Sequence, residues 1–374
     1  MNKPQNILLA LLLLTVAAAQ GATVYVATTG NDATGDGTAG NPYLTIAKGI
    51  GEAGSGGTVN VGAGVYDQAL SIQQPVNLIG AGSGSTTITS TGTGEYLVLV
   101  GNNSVPTFSS GMRIEGFTLT SSTLTGDQDL LMLRASGPTA AAPITVTGNV
   151  FDGADGAMKG IETRSGGGTA NVEIQGNTFD ECKYGMWLNS SIDWDISGNT
   201  FTDAKYTALA ICTSDVGQTH GIQIEDNTFL KSGTAEHGSV WSSAMHLGGT
   251  IHDMTIREND IADSYDYGIV LHDRDNTDLS DVHINHNNIT GSGQDGLFNE
   301  TAVEVDGTCN WWGDASGPGG SGPGSGDEIA GLVNATTWLD GAYPAGNCIP
   351  EPASMTLLAL GGLGVLIRRR RGKK

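Results

Sequence analysis

Two rows of side chains that could do chemistry can be read from short segments of alternating apolar residues between residues 158 and 300. Alternation along a strand turns every second side chain to the opposite face. We take the inward positions to be Ile161, Met186, Ala208, Met245, Ile269 and Leu297. The first outward row is then Glu162, Trp187, Leu209, His246, Val270 and Phe298, and the second is Arg164, Asn189, Ile211, Gly248, His272 and Glu300.

The aromatic members of these rows are suited to binding sugars. Trp187 and Phe298 would present flat surfaces on which sugar rings stack. Asn189 and Glu300 are candidate partners for sugar hydroxyl groups. A loop that packs over this face would account for the outward apolar residues equally well, so both interpretations stay open.

The titratable members are candidates for cleaving a glycosidic bond. Hydrolysis needs two carboxylates at a defined separation, and any acid or base must come within hydrogen-bond reach of the sugar. The candidates are Glu162, Arg164, His246 and His272. Arg164 would lie about four repeats from His272, ~19 Å at ~4.8 Å per stacked strand, which is too far for joint action on one bond. A non-catalytic role is therefore favoured.

Metal binding has little support in the sequence. The seven His residues lie between 220 and 286, and no pair has the i, i+4 helical spacing of a zinc protease. The segment from Asp273 to Asp278 lacks the Gly and the terminal Glu of an EF-hand calcium loop. We predict no metal site and no cofactor, with Ca²⁺ as the one ion that the acidic chain leaves open.

An internal repeat provides the elements that must position these rows. The pattern apolar-x-x-Asn-x-(Phe/Ile/Val) recurs six times, with Asn149, Asn177, Asn199, Asn227, Asn259 and Asn287. These Asn residues are 28, 22, 28, 32 and 28 residues apart, which indicates a unit of 22 residues lengthened by loop insertions. Each unit contains two short strands, with the Asn at the turn between them. We expect the Asn side chains to form a structural ladder and the residues two places later an apolar stack.

Strands this short bury one face only by stacking coil on coil, which predicts an all-β, single-stranded parallel β-helix of nine to eleven coils. Leucine-rich repeats and propellers need patterns that are absent here. Residues 23–315 resemble right-handed β-helix proteins of the pectin-lyase-like superfamily, whose enzymes cleave acidic polysaccharides. The resemblance implies a capping helix near Leu44 to Ala53 and a closing segment at Trp311 and Trp312. We place the β-helix at 20–316 and a flexible connector and cap at 317–349.

Both ends of the chain carry targeting signals. Residues 1–19 have Lys3, an apolar run from Ile7 to Val16 and three Ala residues, as a secretory signal peptide does. The segment 350–374 has a hydrophobic helix between an acidic triplet and a basic cluster; its motif residues are Pro350, Glu351, Pro352, Arg368, Arg369, Arg370 and Arg371. This order resembles the PEP-CTERM sorting signal, which implies processing by an exosortase. The positive cluster implies at least transient anchoring in the inner membrane, with a plain membrane anchor as the alternative.

Charge and cysteines restrict the partners. Without both signals the chain has 10 basic and 38 acidic residues, a net charge of −28, which excludes nucleic acid as a plausible partner. Cys309 and Cys348 flank the last segment, and we expect a disulfide between them because an exported protein is oxidised. Cys182 and Cys212 occupy different places in their repeats and are expected to be separate core residues.

These features together predict an exported protein of the cell surface or extracellular matrix. Its β-helix would be a monomeric, non-catalytic scaffold that contacts a polysaccharide or a cell-surface glycan, after export by signal peptidase and an exosortase. The alternative is a polysaccharide lyase or glycoside hydrolase that acts on an acidic exopolysaccharide.

Overall fold

The computed structural model describes residues 21–92, 94–121, 128–154, 158–163, 168–213, 219–234, 240–273, 278–279 and 281–350. Apart from one short helix, the regular elements are strands, and three long sheets contain most of them. Within these three sheets, every pair of neighbouring strands is parallel, and neighbours in a sheet come from successive turns of the chain. The predicted parallel β-helix is therefore confirmed.

The first sheet has 12 strands, one more than the upper end of the predicted coil number. In order, they are β1 (Thr23–Val26), β2 (Gly57–Val61), β5 (Val76–Gly80), β8 (Met112–Glu115), β11 (Ile144–Thr147), β14 (Thr169–Gln175), β17 (Ser191–Ser197), β20 (Thr219–Glu225), β23 (Ile251–Arg257), β26 (Val282–Asn285), β29 (Val305–Asp306) and β32 (Val333–Asn334).

The second sheet has 11 strands and presents the two outward rows. They are β4 (Leu70–Ile72), β7 (Tyr96–Gly101), β10 (Gln128–Arg134), β13 (Met158–Glu162), β16 (Tyr184–Leu188), β19 (Leu209–Cys212), β22 (Ser243–Gly248), β25 (Tyr267–His272), β28 (Asp295–Asn299), β31 (Gly326–Gly331) and β30 (Pro318–Gly320).

The third sheet has 9 short strands. They are β3 (Gly64–Asp67), β6 (Thr86–Thr89), β9 (Thr118–Leu119), β12 (Val150–Asp152), β15 (Thr178–Asp180), β18 (Thr200–Thr202), β21 (Thr228–Leu230), β24 (Asp260–Ala262) and β27 (Asn288–Thr290). Their central residues include four Phe side chains that stack inside the coil at centroid distances of 4.6–4.7 Å: Phe151, Phe179, Phe201 and Phe229.

The repeat Asn residues form a buried ladder at the turn between the first and third sheets. Each Asn donates from its backbone N and its Nδ2 to the Oδ1 of the next, over 2.9–3.1 Å, from Asn149 to Asn287. Asn310 continues it as a seventh member, which the sequence pattern missed because Trp follows it. The left-handed residue of the turn is the one before the Asn, such as Gly148 or Asp226, and not the Asn itself.

Helix α1 (Ile46–Ala53) covers the N-terminal end of the coil, as predicted. Thr45 is its N-cap, because the Thr45 hydroxyl accepts a hydrogen bond from the Lys48 backbone N over 3.2 Å. The helix buries Ile46, Ile50 and Ala53, whereas Ala47 is exposed.

The β-helix continues through the segment predicted as a flexible connector. Strands β30 and β31 lie within residues 317–331, and β31 pairs with β28. Gly residues permit this close packing: a Cβ on Gly326 would lie 2.3 Å from the Trp312 carbonyl oxygen. An antiparallel hairpin of β33 (Thr337–Leu339) and β34 (Cys348–Pro350) follows, and a disulfide joins Cys309 to Cys348.

The predicted targeting segments fall outside the described residues. The signal peptide at 1–19 does, and so does the sorting segment after Pro350, with Glu351, Pro352 and Arg368 to Arg371. Within the described ranges, no helix is long and apolar enough to cross a membrane.

Candidate functional site

The register of the second sheet corrects one member of each outward row. The ladder joins Glu162 to Trp187, Trp187 to Ala210, Ala210 to His246, and then Val270 and Phe298. Leu209 and Ile211, which we placed outward, belong to the inward set, and Ala208 lies beside Gly185. The reason is a narrow corner next to the Phe stack: a Cβ on Gly185 would lie 2.6 Å from Cδ1 of Phe201, so a small residue precedes each large inward residue there.

A tryptophan that the sequence analysis overlooked lies over this face. Trp241, from the loop before β22, stacks on Trp187 at 5.4 Å and on His246 at 3.9 Å between ring centroids. Together these distances equal about two strand spacings of ~4.8 Å. Ala210 is the residue between Trp187 and His246 in the ladder, and its small side chain leaves the room that the indole of Trp241 fills.

Tyrosines extend the aromatic surface. Tyr184 contacts Trp187 edge-on at 4.7 Å and Tyr206 at 5.4 Å. Farther along the axis, Tyr267 stacks on Phe298 at 5.2 Å. We define the aromatic face as five of the partly exposed rings: Tyr184, Trp187, Trp241, Tyr267 and Phe298. A recurrent Tyr three or four residues before the outward position was the sequence signal for it.

The candidate Glu162 belongs to a nearly buried ion cluster. Lys159 Nζ lies 2.5 Å from Glu162 Oε2 and 3.8 Å from Asp129 Oδ1, and it sits 5.7 Å from the centroid of the Trp187 ring. Lys159 is 9% exposed, Glu162 7% and Asp129 0%. In this cluster one cation is held by two carboxylates and also contacts the ring of Trp187.

The two candidate histidines have different surroundings. His246 is fully buried beneath Trp241, and its Nδ1 lies 3.1 Å from the carbonyl oxygen of Val240. His272 is 28% exposed, and its Nδ1 lies 2.5 Å from Oε2 of Glu300, which is 31% exposed. The two imidazole centroids are 5.2 Å apart.

The remaining candidates are not brought together. Asn189 is buried, and its Nδ2 donates to the carbonyl oxygen of Thr163 over 2.7 Å, so its amide closes a turn of the coil. Arg164 lies outside the described residues. In the described part of the chain, no group of three or more His, Cys, Asp or Glu side chains is arranged to hold a metal ion. Residues 274–277, which belong to the segment compared above with an EF-hand calcium loop, lie outside the described ranges.

The electrostatics of the face are set by carboxylates at its C-terminal end. Burial, followed by the charges of Asp295, Asp266 and Glu300, raises the pKa of the Tyr267 hydroxyl. Burial, followed by the charge of Glu328 on the neighbouring strand, raises the pKa of Asp295. Burial is the larger cause of both shifts, and the carboxylate charges add a negative potential beside the Tyr267–Phe298 pair.

A comparison with models of protein families agrees with this architecture. The model of the right handed beta helix region matches residues 83–247 and 159–310. Similar solved structures include XylC in complex with xylose, at 14% identity and a TM-score of 0.45, covering 85% of this chain and 68% of XylC. An alginate lyase from Paenibacillus sp. str. FPU-7 has 12% identity and a TM-score of 0.46, with 84% and 99% covered. The Dettilon tailspike protein has 11% identity and a TM-score of 0.43, with 71% of this chain and 53% of the tailspike covered. No curated protein matches the sequence.

The C-terminus matches a second family model, that of the PEP-CTERM protein-sorting motif, over residues 349–371. This motif indicates export and sorting to the cell surface, and it implies processing by an exosortase. The first model matches 83–310 in all, more than half of the chain. The chain therefore belongs to the right-handed β-helix family and carries a PEP-CTERM sorting motif at its C-terminus.

Proposed function

We propose that this protein is a cell-surface β-helix that holds a polysaccharide chain along its aromatic face without cleaving it. The observation that carries the proposal is the arrangement of partly exposed rings on one sheet, with Trp187 and Trp241 at one end and Tyr267 and Phe298 at the other. Flat rings with polar groups at their margins are suited to sugars, which have an apolar face and a hydroxyl rim.

The spacing of the rings favours an extended ligand. Trp187 and Phe298 are four ladder steps apart, which is ~19 Å at ~4.8 Å per step. A site of that length fits several sugar rings of one chain. Partly exposed rings that are held by their neighbours on a stacked sheet also lose little conformational entropy on binding, which suits a scaffold that retains a polymer.

The surroundings of the acid–base candidates support a non-catalytic role. The carboxylate of Glu162 is nearly buried and held by Lys159, and His246 is covered by Trp241. A general acid or base must reach the glycosidic oxygen or a ring proton of the sugar. Glu162 does not do so while Lys159 holds it in the nearly buried cluster, and His246 does not do so while Trp241 covers it.

A second candidate function, a lyase or hydrolase acting on an acidic exopolysaccharide, is favoured by one observation. His272 and Glu300 form a partly exposed imidazole–carboxylate pair, in which the carboxylate orients the ring. This pair lies on the row next to His246. Among the candidate residues that the structure describes, it is the one acid–base pair that is accessible to solvent.

The test is an array of soluble and immobilised bacterial polysaccharides, read for retention of the protein and for reducing or unsaturated sugar ends. We expect retention without new ends, and a strong loss of retention in Trp187→Ala and Trp241→Ala. Tyr25→Ala is the matched control, because Tyr25 is 39% exposed and lies on the first sheet. New ends that vanish in His272→Ala would favour the enzyme, and full retention by both Trp variants would refute the proposed face.

A further inference from the structure

The second sheet carries an excess of carboxylates. Its strands contain five acidic residues, Asp129, Glu162, Asp295, Asp327 and Glu328, and two basic residues, Arg134 and Lys159. Glu300 and Asp266 lie at the ends of β28 and β25, close enough to Tyr267 to influence its ionisation. Asp129 and Glu162 are nearly buried around Lys159, so the exposed negative charge lies at the C-terminal end of the face, at Glu300 and Glu328.

Three basic side chains on or beside this sheet have defined contacts. Lys159 contacts two carboxylates, at 2.5 and 3.8 Å, and its side chain is 11% exposed. Arg134 hydrogen-bonds to Asn103, toward the N-terminal end of the sheet. Lys183 lies 5.5 Å from the centroid of the Tyr206 ring, at the edge of the face, with Glu181 two residues before it. The Lys159 cation beside Trp187 is therefore neutralised by carboxylates, and none of these three residues lies on β25, β28 or β31, the strands around the second ring pair.

Several carboxylates lie around the second ring pair, Tyr267 and Phe298. Three carboxylates act on the Tyr267 hydroxyl, and the exposed Glu328 lies beside Asp295 in the ladder. A sugar stacked on Phe298 would place its substituents among these groups. Like charges brought together at an exposed site repel one another over about one Debye length, ~10 Å at 0.1 M salt.

We infer that the aromatic face selects neutral glycans and discriminates against chains rich in uronic acids. This inference rests on the proposed function and names its ligand class. The rings supply affinity for the apolar faces of the sugars, and the carboxylates supply the discrimination. A uronate on each sugar would meet Asp295, Glu300 and Glu328 in turn, with none of the three cations named above beside them to neutralise it.

The test compares alginate with carboxyl-reduced alginate, which has the same linkages without the charge, within an array of neutral and acidic polysaccharides. We expect neutral members to be retained and the acidic form to bind at least about tenfold more weakly at low salt. The difference should shrink in ~1 M salt, where the Debye length is ~3 Å. Tighter binding of acidic members, weakened by salt, would overturn the inference and leave the proposed function intact. If no member binds, the proposed function falls and this inference with it.

The double variant Asp295→Asn, Glu328→Gln isolates the charge. It should raise the retention of alginate several-fold relative to that of the neutral polymers. The matched control is the double variant Glu173→Gln, Asp195→Asn. It removes two carboxylates that are neighbours in the strand register of the first sheet. An equal gain for alginate in both double variants would assign the discrimination to the overall charge of the protein and would refute a selective face.

Discussion

Replacing Ala210 with Leu should displace Trp241 from the aromatic face. The indole fills the gap between Trp187 and His246, with ring centroids 5.4 and 3.9 Å away, and Ala210 is the ladder residue beneath that gap. The three added carbons of Leu need the same space. We expect the loop to release Trp241, because the strand register fixes the positions of the other two rings.

The size of the effect follows from the two ring stacks that Trp241 makes. Each stacked pair of rings contributes about 0.5–1.5 kcal/mol beyond its buried area, so breaking both stacks removes about 1–3 kcal/mol. The Leu side chain restores part of the buried apolar area, and the free energy of unfolding should fall by less than that. If Trp241 contributes to the glycan site by a similar amount, the affinity should fall by about 5- to 150-fold.

Two assays read this effect. Acrylamide quenching of tryptophan fluorescence should increase as Trp241 becomes exposed, and calorimetric titration with the polysaccharide best retained by the array should show the weaker binding. In a Trp241→Ala background, Ala210→Leu should add nothing further, because both changes act through the same ring. Ala262→Leu on the third sheet is the control. Unchanged quenching and unchanged affinity in Ala210→Leu would refute the reasoning.

Four further outcomes are expected. Asn199→Ala should lower the free energy of unfolding by about 3–5 kcal/mol in denaturant titration, since the side chain takes part in five hydrogen bonds; a loss below about 1 kcal/mol would contradict a cooperative ladder. Cys309→Ser should cost about 3–4 kcal/mol, because the disulfide closes a loop with a separation of 39 residues, and reduced wild type should match the variant. Removal of residues 351–374 should change the location of the protein in cell fractionation. The rest of the chain should stay folded, because the β33–β34 hairpin with Pro350 is kept. Unaltered surface display would show that the motif does not sort the protein. Asp295→Asn should stabilise the fold at neutral pH. The pKa of Asp295 is raised in the folded state, and such a carboxyl destabilises the fold as pH rises through that pKa. The gain in the free energy of unfolding over wild type should disappear below pH ~3.8, and a gain that persists there would refute this reasoning.

The architecture could be predicted because its determinants are local and repeated. Asn at a fixed position, short alternating strands and a period near 22 residues leave few arrangements other than a stacked coil. Asn310 was missed because the Trp after it departs from the pattern. The segment 317–331 was missed because its Gly and Pro content is typical of linkers, whereas here the Gly residues let backbones pack closely.

The site could be predicted only in part. Strand alternation was sufficient to place Glu162, Trp187, His246 and Phe298 on one row. It failed at Leu209, since two successive residues face inward at the corner beside the Phe stack. Alternation also says nothing of side chains that loops contribute. Trp241 covers His246 from such a loop, and this contact turns a candidate acid–base residue into part of a ring stack.

The most direct test of a glycan-holding, non-catalytic face is the chain length of the polysaccharide that the protein retains. Size-exclusion chromatography with light scattering, after prolonged incubation of wild-type protein with its best-retained polymer, measures binding and cleavage in one sample. The account predicts that the polymer elutes with the protein at its full original length, and that Trp187→Ala with Trp241→Ala abolishes this co-elution. A retained polymer that shortens with time, or co-elution that survives loss of both tryptophans, would contradict it.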